Sequence, residues 1–283
     1  MNERVCVVTD STSYLPRGYA HEFGIGLVPV QVVVAGHPYD ETDDDQADTV
    51  SRALQDWQPV STSRPSPERF LQAFREAEAS GARQVVVATL SADMSATHES
   101  AVIAARESPI PVSVVDSRTI AMGLGFAAVA GARAALAGSS AAEVSAVITE
   151  SALGSQVFFY VDTMEYLRRG GRVSAAKAAV GQALQVKPLL HIDDGRVEML
   201  ERVRTAGRAL SRLEELAVAA AAECPVHIAV QHLSAHGRAE ELAIRLRQRL
   251  PLAAIIECPV GGVVGAHVGP GMVAVVVAPR LEP

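Results

Sequence analysis

Hydroxyl groups crowd the stretch Leu90-Ser91-Ala92-Asp93-Met94-Ser95-Ala96-Thr97-His98-Glu99-Ser100-Ala101, which directly follows the apolar run Val85-Val86-Val87-Ala88. A strand that stops among serines and threonines and then turns into a helix aims backbone N–H groups and side-chain oxygens at one spot, suited to an anionic group. Ser95 is the expected centre of that spot, and a role as helix N-cap is compatible with it because both use the same helix terminus. His267 is the second candidate. It lies between Gly261 and Gly271, read as a Gly-rich loop ahead of a strand, where backbone can approach a ligand closely. Arg172 follows Gly170-Gly171 and Arg204 follows a strand, positions from which a guanidinium can dock an acidic partner or a phosphate.

Other chemistries have weaker sequence support. Ser95, Asp116 and His267 can be drawn as a serine-hydrolase triad, but Ser95 stands between Met94 and Ala96 and no G-x-S-x-G elbow surrounds it. Gly123-x-Gly125-x-x-Ala128 has the dinucleotide-binding spacing, yet residues 116–122 separate it from its strand and its glycines already read as helix, so close helix packing is the better reading. The acidic run Asp40-Glu41-Thr42-Asp43-Asp44-Asp45 lacks the glycine and distal glutamate of a calcium loop. His98, His191, His227, His232 and His236 show no metal-ligand spacing, and Cys6, Cys224 and Cys258 form neither a zinc motif nor a disulfide framework. No metal and no cofactor are expected.

The elements that must carry these residues follow from apolar periodicity and punctuation. Val5 to Val8, Gln84 to Ala88, Val112 to Val115 and Gln156 to Val161 read as strands, and Leu27 to Val34, interrupted by Pro29, as an edge strand. Helices are expected after Ser66-Pro67-Glu68, through Ala101 to Ala105, over residues 120–137, and after the capping box Ser140 to Glu143. Strands alternating with helices imply a mostly parallel sheet with helices on both faces. Thr9 to Thr12, Ser91 to Thr97, and Asp116-Ser117 would then share the carboxyl edge of that sheet.

From Met164 the character changes: residues 165–212 hold ten Arg and Lys against five Asp and Glu. Glu165 to Arg169 reads as helix, Ser174 to Gln182 as another, and Leu189 to Val203 as two strands around an Asp194-Gly195 turn. A helix from Thr205 to Ala222, another over Ala239 to Leu250, and strands at Val226 to Val230, Ala253 to Glu257 and Met272 to Val277 complete a second α/β domain with a mixed sheet. The expected division is 1–160 and 161–283.

At 283 residues, 49% hydrophobic and 20% charged, the chain can build two cores. Its net charge of −7 argues against a nucleic-acid binder. Free cysteines and the lack of an apolar leader or spanning stretch suggest a cytoplasmic protein that is not membrane-integral.

Taken in order, several stretches together resemble the DegV family of fatty-acid-binding proteins, the acyl-carrying subunit of bacterial fatty acid kinase. They are Val8 to Thr12, Thr62-Ser63-Arg64-Pro65-Ser66-Pro67, Leu90 to Ala101, Asp116-Ser117 with Gly123 and Gly125, Glu165 to Val173, Lys187-Pro188-Leu189-Leu190, Val203-Arg204-Thr205 and His267-Val268-Gly269-Pro270-Gly271. The resemblance implies one long-chain fatty acid in an apolar tunnel between two domains. Its carboxylate would be held by Thr62, Ser95 and His267, with Ser63 and Ser117 as further pocket candidates. It also implies no catalytic residue here: a separate ATP-dependent kinase subunit would phosphorylate the carboxylate to an acyl phosphate, docking near Arg172 and Arg204. The sequence departs from the family's frequent Ser-Gly-Thr-Tyr at Ser95-Ala96-Thr97-His98.

Overall fold

Val5, Val7 and Val8 are buried on both sides of the first strand, β1 (Val5–Asp10), as a central parallel strand requires. A computed structural model describes residues 4–41, 45–173, 186–221 and 225–281. After β1 and a 3-10 turn at Ser11–Ser13 come α1 (Tyr19–Glu22), β2 (Gly26–Val28), β3 (Gln31–Val34), β4 (His37–Asp40), α2 (Asp45–Gln55) and β5 (Val60–Ser63). Next are α3 (Pro67–Ala79), β6 (Gln84–Thr89), α4 (Thr97–Ala105), β7 (Val112–Asp116), α5 (Met122–Leu136), α6 (Ala141–Gly154), β8 (Gln156–Tyr160) and α7 (Glu165–Arg169). The remainder comprises β9 (Lys187–Asp193), β10 (Arg196–Val203), α8 (Ala206–Ala220), β11 (Val226–His232), α9 (His236–Arg249), β12 (Ala254–Pro259), α10 (Gly262–Val268) and β13 (Val273–Pro279). The helix expected over Ser174 to Gln182 lies outside the described residues.

The chain divides into two units, and the division is not the single cut at 160 expected from the change in composition. One unit comprises Met1–Gln31, Ser63–Gly154 and Leu281–Pro283; the other comprises Val32–Thr62 and Ser155–Arg280. The first unit holds a parallel sheet in the order β2-β1-β6-β7. Val5, Val7, Val86 and Ala88 face α5 and α6 on one side. Val8, Val85 and Val87 face Phe70, Phe74, Ala101 and Ala104 of α3 and α4 on the other, so helices cover both faces as expected. Gly125 lies where a Cβ would come within 2.5 Å of the Ser13 carbonyl oxygen, and at Gly131 a Cβ would meet Ile148 at 2.4 Å. The Gly-x-Gly-x-x-Ala run is therefore a packing surface of α5.

The second unit is built on a mixed sheet ordered β10-β9-β8-β13-β11-β12, in which only β11 and β12 pair in parallel among the described strands. Leu210, Leu213, Leu242 and Leu246 of α8 and α9 bury against Ile228, Val230, Val273 and Val275. Asp194 (φ 45°) and Gly195 (φ 80°) form the expected turn between β9 and β10, both central residues having the positive φ of a type I′ hairpin. Thr205 caps α8 by accepting the Arg208 N–H at 3.2 Å. A three-stranded sheet, β4-β3-β5, adds the early residues. Leu27 to Val34 is thus not one edge strand. Proline 29, with no N–H to give to a ladder, marks the point where the chain leaves β2 at the edge of the parallel sheet and starts β3 in another.

Candidate functional site

Thr62 and His267 are 205 positions apart in sequence and meet in the second unit, Oγ1 to Nε2 at 3.0 Å. Thr62 comes from β5. His267 comes from the last turn of α10 and not from a loop. Of the glycines that suggested a loop, Gly265 is instead part of the contact surface of a short helix lying on α2 and α7: a Cβ there would stand 3.1 Å from Leu233 and 3.7 Å from Val50. The helix start is capped from a distance, since the buried Glu41 carboxylate accepts the Val263 N–H at 2.8 Å. Beyond His267 the chain turns sharply through Gly269 (φ 74°) and Gly271 (φ 91°). There a Cβ would lie 2.1 Å from the Tyr166 ring and 2.1 Å from Asp162 Oδ2, so both backbone conformation and space require glycine. Asp162 is itself held by Lys187 at 2.6 Å and Arg238 at 3.5 Å.

Burial, with the Arg172 guanidinium adding to it, pushes the His267 imidazole down to about 4. The ring is therefore neutral at neutral pH, with one donor and one acceptor nitrogen. Its Nδ1 is shielded from solvent and has no hydrogen-bond partner among the described residues, and it faces Gly170, where a Cβ would come within 2.2 Å of it.

Ser95 belongs to the first unit, in the loop between β6 and α4. Its Oγ lies 2.9 Å from Thr97 Oγ1 and accepts the Thr97 N–H at 3.3 Å, while Ala96 occupies the N-cap position expected for Ser95. Two carboxylates at strand ends hold this loop. Asp10 Oδ2 accepts the Leu90 N–H at 2.8 Å while its Oδ1 accepts the Thr12 N–H at 3.0 Å. Asp116 Oδ1 accepts the Ala92 N–H at 3.1 Å and the Arg118 N–H at 3.0 Å. Burial raises the Asp10 carboxyl to about 6 against the pull of these donors, which leaves it ionised at neutral pH. The carboxyl edge of the parallel sheet is thus the assembled polar edge that the strand order implies.

The remaining candidates are placed less directly. Ser117 is buried and its hydroxyl closes on its own loop, accepting the Thr119 N–H at 3.2 Å. Ser63 is exposed and donates to the Arg64 carbonyl at 3.4 Å. Arg172 is exposed and donates to the Gly170 carbonyl. Arg204 is exposed in a groove with Arg202 and Arg208, beside an Arg212 already paired to Glu201 at 2.6 Å and Glu215 at 2.8 Å. A Ser95–Asp116–His267 triad gains no support: the serine is bonded to Thr97, the aspartate to backbone N–H groups and the histidine to Thr62. Among the described residues no group of three or more His, Cys, Asp or Glu side chains is arranged to hold a metal ion, and no helix is long and apolar enough to cross a membrane.

Glu41, Asp10 and Asp162 escaped the sequence reading as positioning groups. Each accepts or balances a partner far away in sequence, although an Asp-x-Thr at a strand end is a usable local sign of a carboxylate turned back on its own loop.

Comparison with known proteins agrees with this architecture. A family model described as an uncharacterised protein of the DegV family matches residues 4–280. A DegV domain-containing protein of Streptomyces coelicolor is 49% identical over 281 residues, covering 99% of this chain and 100% of its own. The structure of DegV from Bacillus subtilis, described as a fatty acid binding protein, aligns with a TM-score of 0.88 at 28% identity, over 98% of this chain and 100% of that one. A DegV family protein from Thermus thermophilus, described by its fatty acid binding, aligns with a TM-score of 0.88 at 29% identity and the same coverage. The chain belongs to the DegV family.

Proposed function

We propose that this protein binds a long-chain fatty acid and is not itself a catalyst: Thr62, Ser95 and His267 form its carboxylate site, and the acyl chain runs in an apolar tunnel. The observation that carries the reading is the Thr62–His267 pair, a hydroxyl and a neutral imidazole brought together from distant parts of the chain. Neutral donors hold a carboxylate without burying a compensating full charge beside it. The alkyl chain supplies affinity at ~0.8 kcal/mol per buried CH₂. The fatty-acid binding described for the Bacillus subtilis and Thermus thermophilus relatives supports the same ligand class.

A carrier of this kind presents its carboxylate in the cytoplasm to a separate ATP-dependent kinase subunit, which forms the acyl phosphate. The exposed Arg172 and Arg204 are the proposed docking groups, and Ser63 is the further pocket candidate left with an exposed hydroxyl. Native mass spectrometry of protein purified from cells should reveal a co-purifying long-chain acid, and Ser95→Ala should lose it. A ligand-free protein that also fails to take up added oleate overturns the reading. Acyl phosphate should form only when acid, this protein, ATP and the kinase subunit are all present.

A further inference from the structure

The hydrogen bond between Thr62 and His267 has a direction. Of the two ring nitrogens, Nε2 meets Thr62 Oγ1 at 3.0 Å, whereas Nδ1 is shielded from solvent and unpartnered among the described residues. The space in front of Nδ1 belongs to Gly170. An ideal Cβ there would lie 2.2 Å from Nδ1 and 3.0 Å from Cε1, so the hydrogen that replaces that Cβ in glycine points at the nitrogen. A bare lone pair on Nδ1 accepts such a Cα–H contact, whereas an N–H at the same place sets two hydrogens against each other and buries a donor with nothing to receive it.

We propose that His267 is the neutral tautomer protonated at Nε2, that it donates to Thr62 Oγ1, and that Thr62, its own proton thereby turned away from the ring, is the group that meets the carboxylate. The last step rests on the fatty-acid reading above; the tautomer does not. A ring nitrogen that carries the proton can only donate, so the threonine oxygen must accept and its hydroxyl hydrogen is left for a third group. His267 is then a positioning residue that acts through Thr62, and Gly170 fixes the tautomer because nothing larger than hydrogen fits before Nδ1. Burial of the ring and the nearby Arg172 charge keep it from taking a second proton at neutral pH. The arrangement commits Thr62 to donate, which suits an anionic oxygen in the ligand.

A long-range nitrogen–proton correlation spectrum of the isotope-labelled full-length protein at neutral pH reads the tautomer directly, with His267→Gln identifying the signal. A protonated Nε2 and a bare Nδ1 are expected, and the opposite tautomer or a charged ring overturns the proposal. Oleate titration tests the relay. The amide of His267→Gln reaches the position of Nε2 and should stay within about 5-fold of wild type, while His267→Asn and Thr62→Val should each lose at least ~10-fold. The Thr62→Val, His267→Asn double variant should lose little more than either alone. Oleate binding that survives Thr62→Val but not His267→Asn would mean direct contact by the histidine and would sink the relay. Wild-type protein that ignores oleate overturns the fatty-acid reading instead, and the spectrum still decides the tautomer.

Discussion

At the scale of single residues, Gly170 is as consequential as the polar groups it supports. Its φ of −72° is open to any residue, so the demand for glycine is purely one of space beside His267. Gly170→Ala should therefore fold, displace the imidazole from Thr62 and weaken oleate binding by at least ~10-fold, read by titration alongside an unchanged circular dichroism spectrum. The same burial makes His267 a source of acid sensitivity. Its ring titrates near 6.5 when unfolded and near 4 when folded, so between those values the unfolded chain binds the extra proton. Stability from this group is complete above pH 6.5 and falls as pH drops toward 4, by at most about 3 kcal/mol. Urea denaturation across that window should show a steeper loss for wild type than for His267→Gln; equal slopes would refute the assignment. Of these residues, Ser95 stands in the strand-to-helix loop its setting implied, whereas His267, expected in a glycine-rich loop, stands in a helix. Gly170 was legible only as a helix stop, because the ring that needs its small size lies almost a hundred positions away.

Elements were more legible than their partners. The capping box of α6 appears as expected, Glu143 accepting both the Ser140 N–H at 2.7 Å and its hydroxyl at 2.8 Å, and Ser66-Pro67 opens α3. Local chemistry dictates such features, so sequence reveals them. The short β4 and β5 were missed: Tyr39 is exposed, Thr62 only half-buried, and neither strand shows the apolar alternation that marks a buried face. The strap from β1 to the Ser95 loop was equally hidden, and it yields its own test. Asp10 offers only acceptor oxygens to the N–H groups of Thr12 and Leu90. Asp10→Asn replaces one of these with a donor and sets it against an N–H. The substitution should cost about 1–3 kcal/mol, partly offset by removal of a buried charge. Hydrogen exchange should quicken at Leu90 to Ser95 while the interior of β1 stays protected, and uniform protection would show that the strap does not hold the loop.

For the whole molecule, the two-unit organisation was legible, but its discontinuity was not. Residues 32–62 belong with the second unit although they precede most of the first, and the signal is buried in one proline and two polar strands. The consequence for function is that the proposed carboxylate-site residues are divided, Ser95 in one unit and Thr62 with its partner His267 in the other. That division makes the carboxylate proposal testable by a double-mutant cycle on oleate affinity. Groups that share no partner should lose free energy additively, within about 0.3–0.5 kcal/mol, whereas groups that bind one carboxylate should couple by about 0.5–3 kcal/mol. Ser95→Ala and Thr62→Val should therefore show a coupling clearly above the additive scatter when the ligand is oleate. The same cycle run on unfolding free energy without ligand should be additive, because Ser95 bonds to Thr97 and Thr62 to His267. Coupling in binding but not in stability is the signature of Ser95 and Thr62 meeting the same headgroup. Additivity in both would leave Thr62 and His267 as the carboxylate site and return Ser95 to the role of a hydroxyl that organises its own loop.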